Sequence, residues 1–249
     1  MGTTQYTDAF QRANFWTNVS SNSNYHTLLS FSTAPLQTVN VTSANSGGPN
    51  GTVYVASGQC GSSGKTNHAG YLGVMDINFW DPVAQSIITN LGIGSTSFPI
   101  FVFYNAVMSN GDPSNLANCC VLGYHNAVGS QTYAVGDFEG RDQTLFSAAD
   151  ITALSHEVGE WMDDPLTNNA TPAWGNVGQV SGCFSFLEVG DPLSGTLFPS
   201  VTMSNGFTYH PQELAFFSWF FRESPSRGVG GWFSNNGTFT ADAGLVCGT

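Results

Sequence analysis

The stretch Leu154-Ser155-His156-Glu157-Val158-Gly159-Glu160-Trp161 constrains this chain more than any other, because it places two opposed demands on one helix. At about 100° per residue, Ile151, Leu154, Val158 and Trp161 form an apolar stripe that has to be packed. His156 and Glu160 fall together on nearly the opposite side, with Glu157 on their flank. Ala149 and Ala153 share that polar side and leave it open to neighbouring chain. Ser147-Ala148-Ala149-Asp150 fits a capping box, Asp150 suits the positive end of the helix dipole, and Pro165 disfavours helix at Asp164. The spacing therefore predicts a helix from about Ser147 to about Asp163.

The polar side reads as a metal site. In H-E-x-x-H helices two histidines one turn apart grip zinc and the intervening glutamate is the general base; here Glu160, also an acceptable zinc ligand, stands in the second position. Two ligands leave a catalytic zinc incomplete, so a third must come from elsewhere. Glu188, in Phe186-Leu187-Glu188-Val189-Gly190-Asp191, is the first choice and Asp191 the fallback. If Glu188 binds the ion, Asp191 is free to orient His156 from behind, a role equally open to Asp164 and Asp137. Charge supports the reading. Only 9% of the chain is Asp, Glu, Lys or Arg, yet His156, Glu157, Glu160, Asp163 and Asp164 crowd into nine residues with no Lys or Arg among them.

Ser155-His156-Glu157-Val158-Gly159-Glu160, followed by Asp164-Pro165, Ala173-Trp174 and Glu188-Val189-Gly190-Asp191, resembles the series S-H-E-x-x-E, D/N-P, A-W, E-x-x-D of secreted proteins similar to the plant phosphate-induced (EXORDIUM-like) family and its bacterial and fungal relatives. The core helix also resembles that of the zincin metallopeptidases. The likeness spans about Gly123 to Asp191, with Gly123-Tyr124-His125 and Tyr133-Ala134-Val135 as weaker matches. It implies His156 and Glu160 as ligands, Glu157 as base and Glu188 as third ligand. Relatives often carry a cysteine just after E-x-x-D, whereas this chain has Pro192 and Leu193 there and places Cys183 before it.

At 249 residues the chain is long enough for one catalytic domain in two lobes, about 1–165 with the sheet and metal helix and about 166–249 with the third ligand and the C-terminal lobe. A net charge of −12 excludes nucleic acid and anionic lipid as partners. No apolar run approaches about 18 residues, so no membrane span is expected. Cys60, Cys119, Cys120, Cys183 and Cys247 in a Gly-, Ser-, Asn- and Thr-rich chain fit a secreted protein with two disulfides and one free thiol. The start lacks a signal-like segment, so any export signal is expected to have been removed. Adjacent Cys119 and Cys120 are expected to face different partners, because bonding neighbours strains the disulfide.

Along the chain, the first 50 residues read as a polar lead with one apolar stretch, His26–Phe31; Gly51–Ala56 reads as a strand, followed by a Gly/Ser loop, Ser57–Gly70, before Tyr71–Met75. A helix is expected from Pro82 to about Asn90 with Asp81 as N-cap. Phe98–Asn105 carries the strongest buried-strand signal, and Gln131–Asp137 reads as a strand. The order predicts an α+β fold, a zincin-like lobe of mixed sheet and active-site helix with an aromatic-rich C-terminal subdomain. Tyr133, Ala134 and Val135 are expected on an edge strand that pairs with an extended substrate. Pro211–Arg222 reads as an aromatic helix, mostly core, with Trp219 and Trp232 as an alternative sugar-stacking platform. Tyr209 and His210 are candidates to donate a proton or stabilise an oxyanion, with Tyr124 and His125 competing for the task.

These residues point to a zinc peptidase with one Zn²⁺ per chain, acting on peptide or protein. A secreted or wall-associated binding protein with a purely structural metal clamp is the alternative, favoured if a fourth protein ligand such as Asp191 or His125 closes the site. Glycoside hydrolysis by Glu157 and Glu160 ranks last, because acids one turn apart on one helix flank a sugar poorly. A histidine ligand argues against calcium.

Overall fold

Packing of the motif helix is visible at one glycine. A Cβ on Gly159 would come within 2.5 Å of Leu214 Cδ1, so any larger residue there on α4 (Thr152–Asp163) would have to displace the Leu214 side chain. The computed structural model describes residues 3–20, 24–42, 50–55, 71–138, 146 and 148–242. The expected cap residue Ser147 lies outside them, as does the loop over 57–70 that carries Cys60 and His68. The helix starts later than its capping pattern suggests. Asp150 has a positive φ of 30°, and Thr152 closes the N-terminus instead, its hydroxyl donating to Ala149 O at 2.7 Å and accepting from Ala149 N at 3.0 Å.

The chain is a mixed α+β structure with several small sheets and few helices. It divides into two compact units: residues 1–32, 125–127 and 155–249, and residues 33–124 and 128–154. The division runs through α4 rather than falling near residue 165.

In the second unit, β1 (Gly51–Val55), β2 (Tyr71–Asp76), β4 (Ala106–Ser109) and β5 (Cys119–Val121) form a sheet in that order. The β2–β4 pair is parallel and the other two pairs are antiparallel. A second sheet has the order β3 (Ile100–Tyr104), β7 (Gln131–Phe138), β6 (Gly123–Val128), residues 125–127 of β6 being counted with the first unit. The expected exposures of β3 and β7 are reversed. β3 is at the edge, with Val102 53% and Tyr104 67% exposed, while Phe101 and Phe103 pack edge-on against Trp80. β7 is the central strand, so Tyr133, Ala134 and Val135 are fully buried and already paired, Ala134 with Ile100 and Val135 with Phe101. They leave no free backbone edge for a substrate. The sequence signal failed because both strands are apolar, and strand order is set by pairing rather than by hydrophobicity.

The helix α3 runs over Ile77–Asn90, five residues earlier than expected, because Asp76 caps it by accepting from Asn78 N at 2.9 Å. Pro82 sits inside it, forgoing one backbone hydrogen bond. Cys119 and Cys120 are bonded to each other, contrary to expectation; the peptide between them is cis, which turns the neighbouring side chains together. Cys183 is also disulfide-bonded.

In the first unit, α1 (Tyr6–Asn14) was unreadable as a helix because its buried face is mostly polar, with Asp8, Gln11, Arg12 and Asn14 beside Phe10 and Ala13. Asp8 ties down the following chain through Thr27 N at 2.7 Å and His26 Nδ1 at 2.9 Å. The expected C-terminal aromatic helix shrinks to α5 (Phe217–Phe220). Residues 212–216 run extended instead, with Glu213 N bonded to Thr196 O, Ala215 N to Val189 O and Phe216 N to Phe233 O. Phe216, Trp219 and Phe220 are core as expected, whereas Phe217 is partly buried and Phe221 is exposed. Trp219 is 4% exposed and stacks on Phe239, so it cannot form a sugar platform with the half-exposed Trp232.

Candidate metal centre

The polar side of α4 is closed by residues from three other segments of the same unit. His156 and Glu160, one turn apart, bring His156 Nε2 to 3.0 Å from Glu160 Oε1. Asp191, in the turn after Gly190, places Oδ1 3.3 Å from the same nitrogen. These three residues offer ligand atoms within 4.8 Å of one another, and a second such group consists of His125, Glu160 and Glu188. Donors on a tetrahedral zinc at about 2.0 Å lie about 3.3 Å apart, the spacing seen around His156. Glu188 thus joins Glu160, but with His125 from β6, while Asp191, the fallback third ligand, faces His156.

Both histidines are held from behind. His156 Nδ1 lies 3.1 Å from Gln212 Oε1, and His125 Nε2 lies 3.2 Å from the carbonyl of Asp164. Each ring then donates its far N–H to an acceptor and turns its other nitrogen toward the carboxylates, the arrangement that fixes tautomer and direction in metal-binding histidines. Gln212 was not foreseen, since an amide carries no ligand signal in a sequence. It also donates to Gly190 O at 2.7 Å, and its own N–H is accepted by Ser155 Oγ at 2.9 Å. Gly190 in turn donates to Glu160 Oε1 at 3.0 Å, and a Cβ there would meet the His156 ring at 2.6 Å. A Gln212→Ala protein is expected to bind metal about 10–100-fold more weakly, measured by competition with a chromophoric chelator; unchanged affinity would show that His156 needs no outer partner.

The remaining candidates lie elsewhere. Asp164 accepts from the backbone of Asn168 and Asn169 at 2.9 and 3.0 Å and supports His125 only through its carbonyl. Asp137 accepts from Ala106 N at 3.1 Å. Tyr124 donates to Asp81 at 2.9 Å. Tyr209 is on the β10–β11 ribbon (Val201–Thr202, Thr208–Tyr209), its hydroxyl accepting from Asn205 at 3.3 Å, and neither it nor His210 belongs to either ligand group.

Glu157 belongs to neither group, although its Oε2 lies 3.4 Å from His125 Nδ1. Burial raises its pKa, and the charge of His156 and the bond from His125 only partly offset this. Burial also pushes Glu188 up to about 10, reinforced by the charge of Glu160. Asp191 is raised for the same two reasons. Burial opposes charge on His125, but its bonds to Glu157 and Glu160 win and lift it to about 11. Glu160 is held well below the usual carboxylate range, because His156 and His125 outweigh its burial. Three of the four carboxylates around the two histidines, all but Glu160, favour their protonated forms where a cation would sit. Glu188 Oε2 is buried with no hydrogen-bond partner among the described residues. The donor set fits a divalent transition ion.

Comparison with known proteins finds no matching family model, no matching curated protein and no matching solved structure.

Proposed function

We propose that this protein is a secreted zinc-dependent peptidase of zincin-like design, with His156, Glu160 and Asp191 as zinc ligands and Glu157 as general base. The observation that carries the reading is the position of Glu157. It shares the motif helix, belongs to neither ligand group although its Oε2 lies 3.4 Å from His125 Nδ1, and its burial raises its affinity for a proton. Bound zinc would supply an acidified water and polarise the scissile carbonyl. Glu157 takes the proton and returns it to the departing amine. Gln212 and Gly190 hold His156 and Glu160 in place. Cystine supports an oxidising, extracellular setting. No helix among the described residues is long and apolar enough to cross a membrane.

One observation favours the structural clamp as a second reading: His125, His156, Glu157 and Glu160 are all buried, and more than three protein donors converge. Cleavage of casein and of a mixed peptide library, with and without chelator and with zinc restored, separates the two. Chelator-sensitive cleavage recovered by zinc supports the peptidase. Stoichiometric zinc with no cleavage of any substrate supports the clamp.

A further inference from the structure

Glu160 turns its two oxygens toward two different histidines. Oε1 is 3.0 Å from His156 Nε2, and Oε2 is 3.5 Å from His125 Nδ1. We propose that the centre is dinuclear, with the Glu160 carboxylate bridging two divalent ions, one held with His156 and Asp191 and the other with His125 and Glu188. The proposal rests on the metal-site reading above and extends it.

Three observations support two ions over one. The five donor residues fall into two groups of three that share only Glu160, each within 4.8 Å, rather than into a single group. Donors on one ion at about 2.0–2.3 Å can be at most about 4.6 Å apart, so a single ion would require one group. Each histidine is separately aimed, His156 by Gln212 at 3.1 Å and His125 by the Asp164 carbonyl at 3.2 Å. An orienting partner behind each ring is what two ligand positions need, and a lone ion served by His156 would leave that of His125 without a purpose. Finally, Glu188 Oε2 is buried and lacks a hydrogen-bond partner among the described residues, although its group includes His125 and Glu160. An unsatisfied buried oxygen in a ligand group marks where a cation belongs.

The bridge is itself braced, since Gly190 N–H donates to Glu160 Oε1 at 3.0 Å and leaves Oε2 turned to His125. Paired ions about 3.5–4 Å apart would supply an activated water and polarise the carbonyl oxygen of the substrate. Such a centre would suit hydrolysis of an amide or ester carbonyl.

The test is metal stoichiometry. Chelator-stripped protein is reloaded with Zn²⁺, freed of excess and counted by elemental analysis, and a parallel sample is loaded with Co²⁺ for electron paramagnetic resonance. The expected result is two equivalents in the wild type, one in His125→Gln, one in His156→Gln and almost none in Glu160→Ala, with spin coupling in the doubly loaded cobalt protein. One equivalent in the wild type overturns the bridge but leaves a mononuclear centre standing. No bound metal overturns both. Two uncoupled cobalt ions, or two equivalents surviving in Glu160→Ala, also overturn the bridge. The wild-type count decides the matter even if a variant fails to fold.

Discussion

Glu157→Gln is expected to retain its metal and lose about 10²–10⁴-fold in turnover, the range for removing a general base. The substitution keeps shape and burial but removes the one carboxylate of the motif that lies in neither ligand group. It also removes a group whose burial raises its affinity for a proton. Because the loss falls on a group acting in the transition state, kcat should drop while KM changes little. Metal content and kcat need to be measured on the same preparation. Full activity with metal bound would rule out Glu157 as the base, and loss of one equivalent of metal would make it a ligand instead.

The stabilisation conferred by zinc is expected to widen as pH rises from about 5.5 to 8.5, seen as a growing gap in Tm between loaded and stripped protein. At free zinc 100- to 1,000-fold above Kd the gap corresponds to about 2.7–4.1 kcal/mol. At roughly 2–4 °C per kcal/mol for a chain of this size, that is about 5–16 °C. The pH dependence follows from the raised groups. His125 goes from 6.5 to about 11 and Glu188 from 4.5 to about 10 in the metal-free fold. A raised folded pKa means that the folded state binds more protons. The stability this contributes is complete below the unfolded pKa and is lost as pH climbs toward the folded value. The stripped protein should therefore weaken from pH 5 upward through Glu188 and from above pH 6 through His125. Zinc in the position held by His125 and Glu188 in the dinuclear centre proposed above must displace those same protons, so its affinity rises about tenfold per pH unit for each proton released. The low pKa of Glu160 has the opposite sign, its contribution being present above the ordinary carboxylate pKa and lost as pH falls below it. Calorimetric differential scans at matched ionic strength test this. A gap that is constant or shrinks with pH would mean that binding displaces no proton from these residues.

Parts of the centre were legible in the linear chain because a helix converts spacing into position. His156 and Glu160 had to share a face, and the turn between them had to place Glu157 on the flank. The crowding of five ionisable residues into nine, in a chain of which only 9% is Asp, Glu, Lys or Arg, was equally visible. The ligand pairing was not. Glu188 and Asp191 are three residues apart in a turn, where no regular period says which faces which histidine. The structure sends Asp191 to His156 and Glu188 to the His125 group. Gln212 was out of reach because its role arises from its contacts with Gly190 and Ser155, not from its own chemistry.

The same division holds for the fold. Strands over Gly51–Val55, Ile100–Tyr104 and Gln131–Phe138 could be recognised from composition, since β-branched and aromatic runs favour extended backbone. Which of them lies in the centre could not, because every strand offers the same backbone donors and acceptors and only tertiary pairing chooses among them. The helix α1 escaped for a different reason: its buried face is mostly polar, with Asp8, Gln11, Arg12 and Asn14 beside Phe10 and Ala13. What the sequence by itself determined was the local chemistry, a helix carrying histidine and two glutamates at ligand spacing. What only the tertiary structure decided was the convergence of His125, Glu188, Asp191 and Gln212 on that helix, because contacts between distant segments are set by packing and hydrogen bonding across the whole unit.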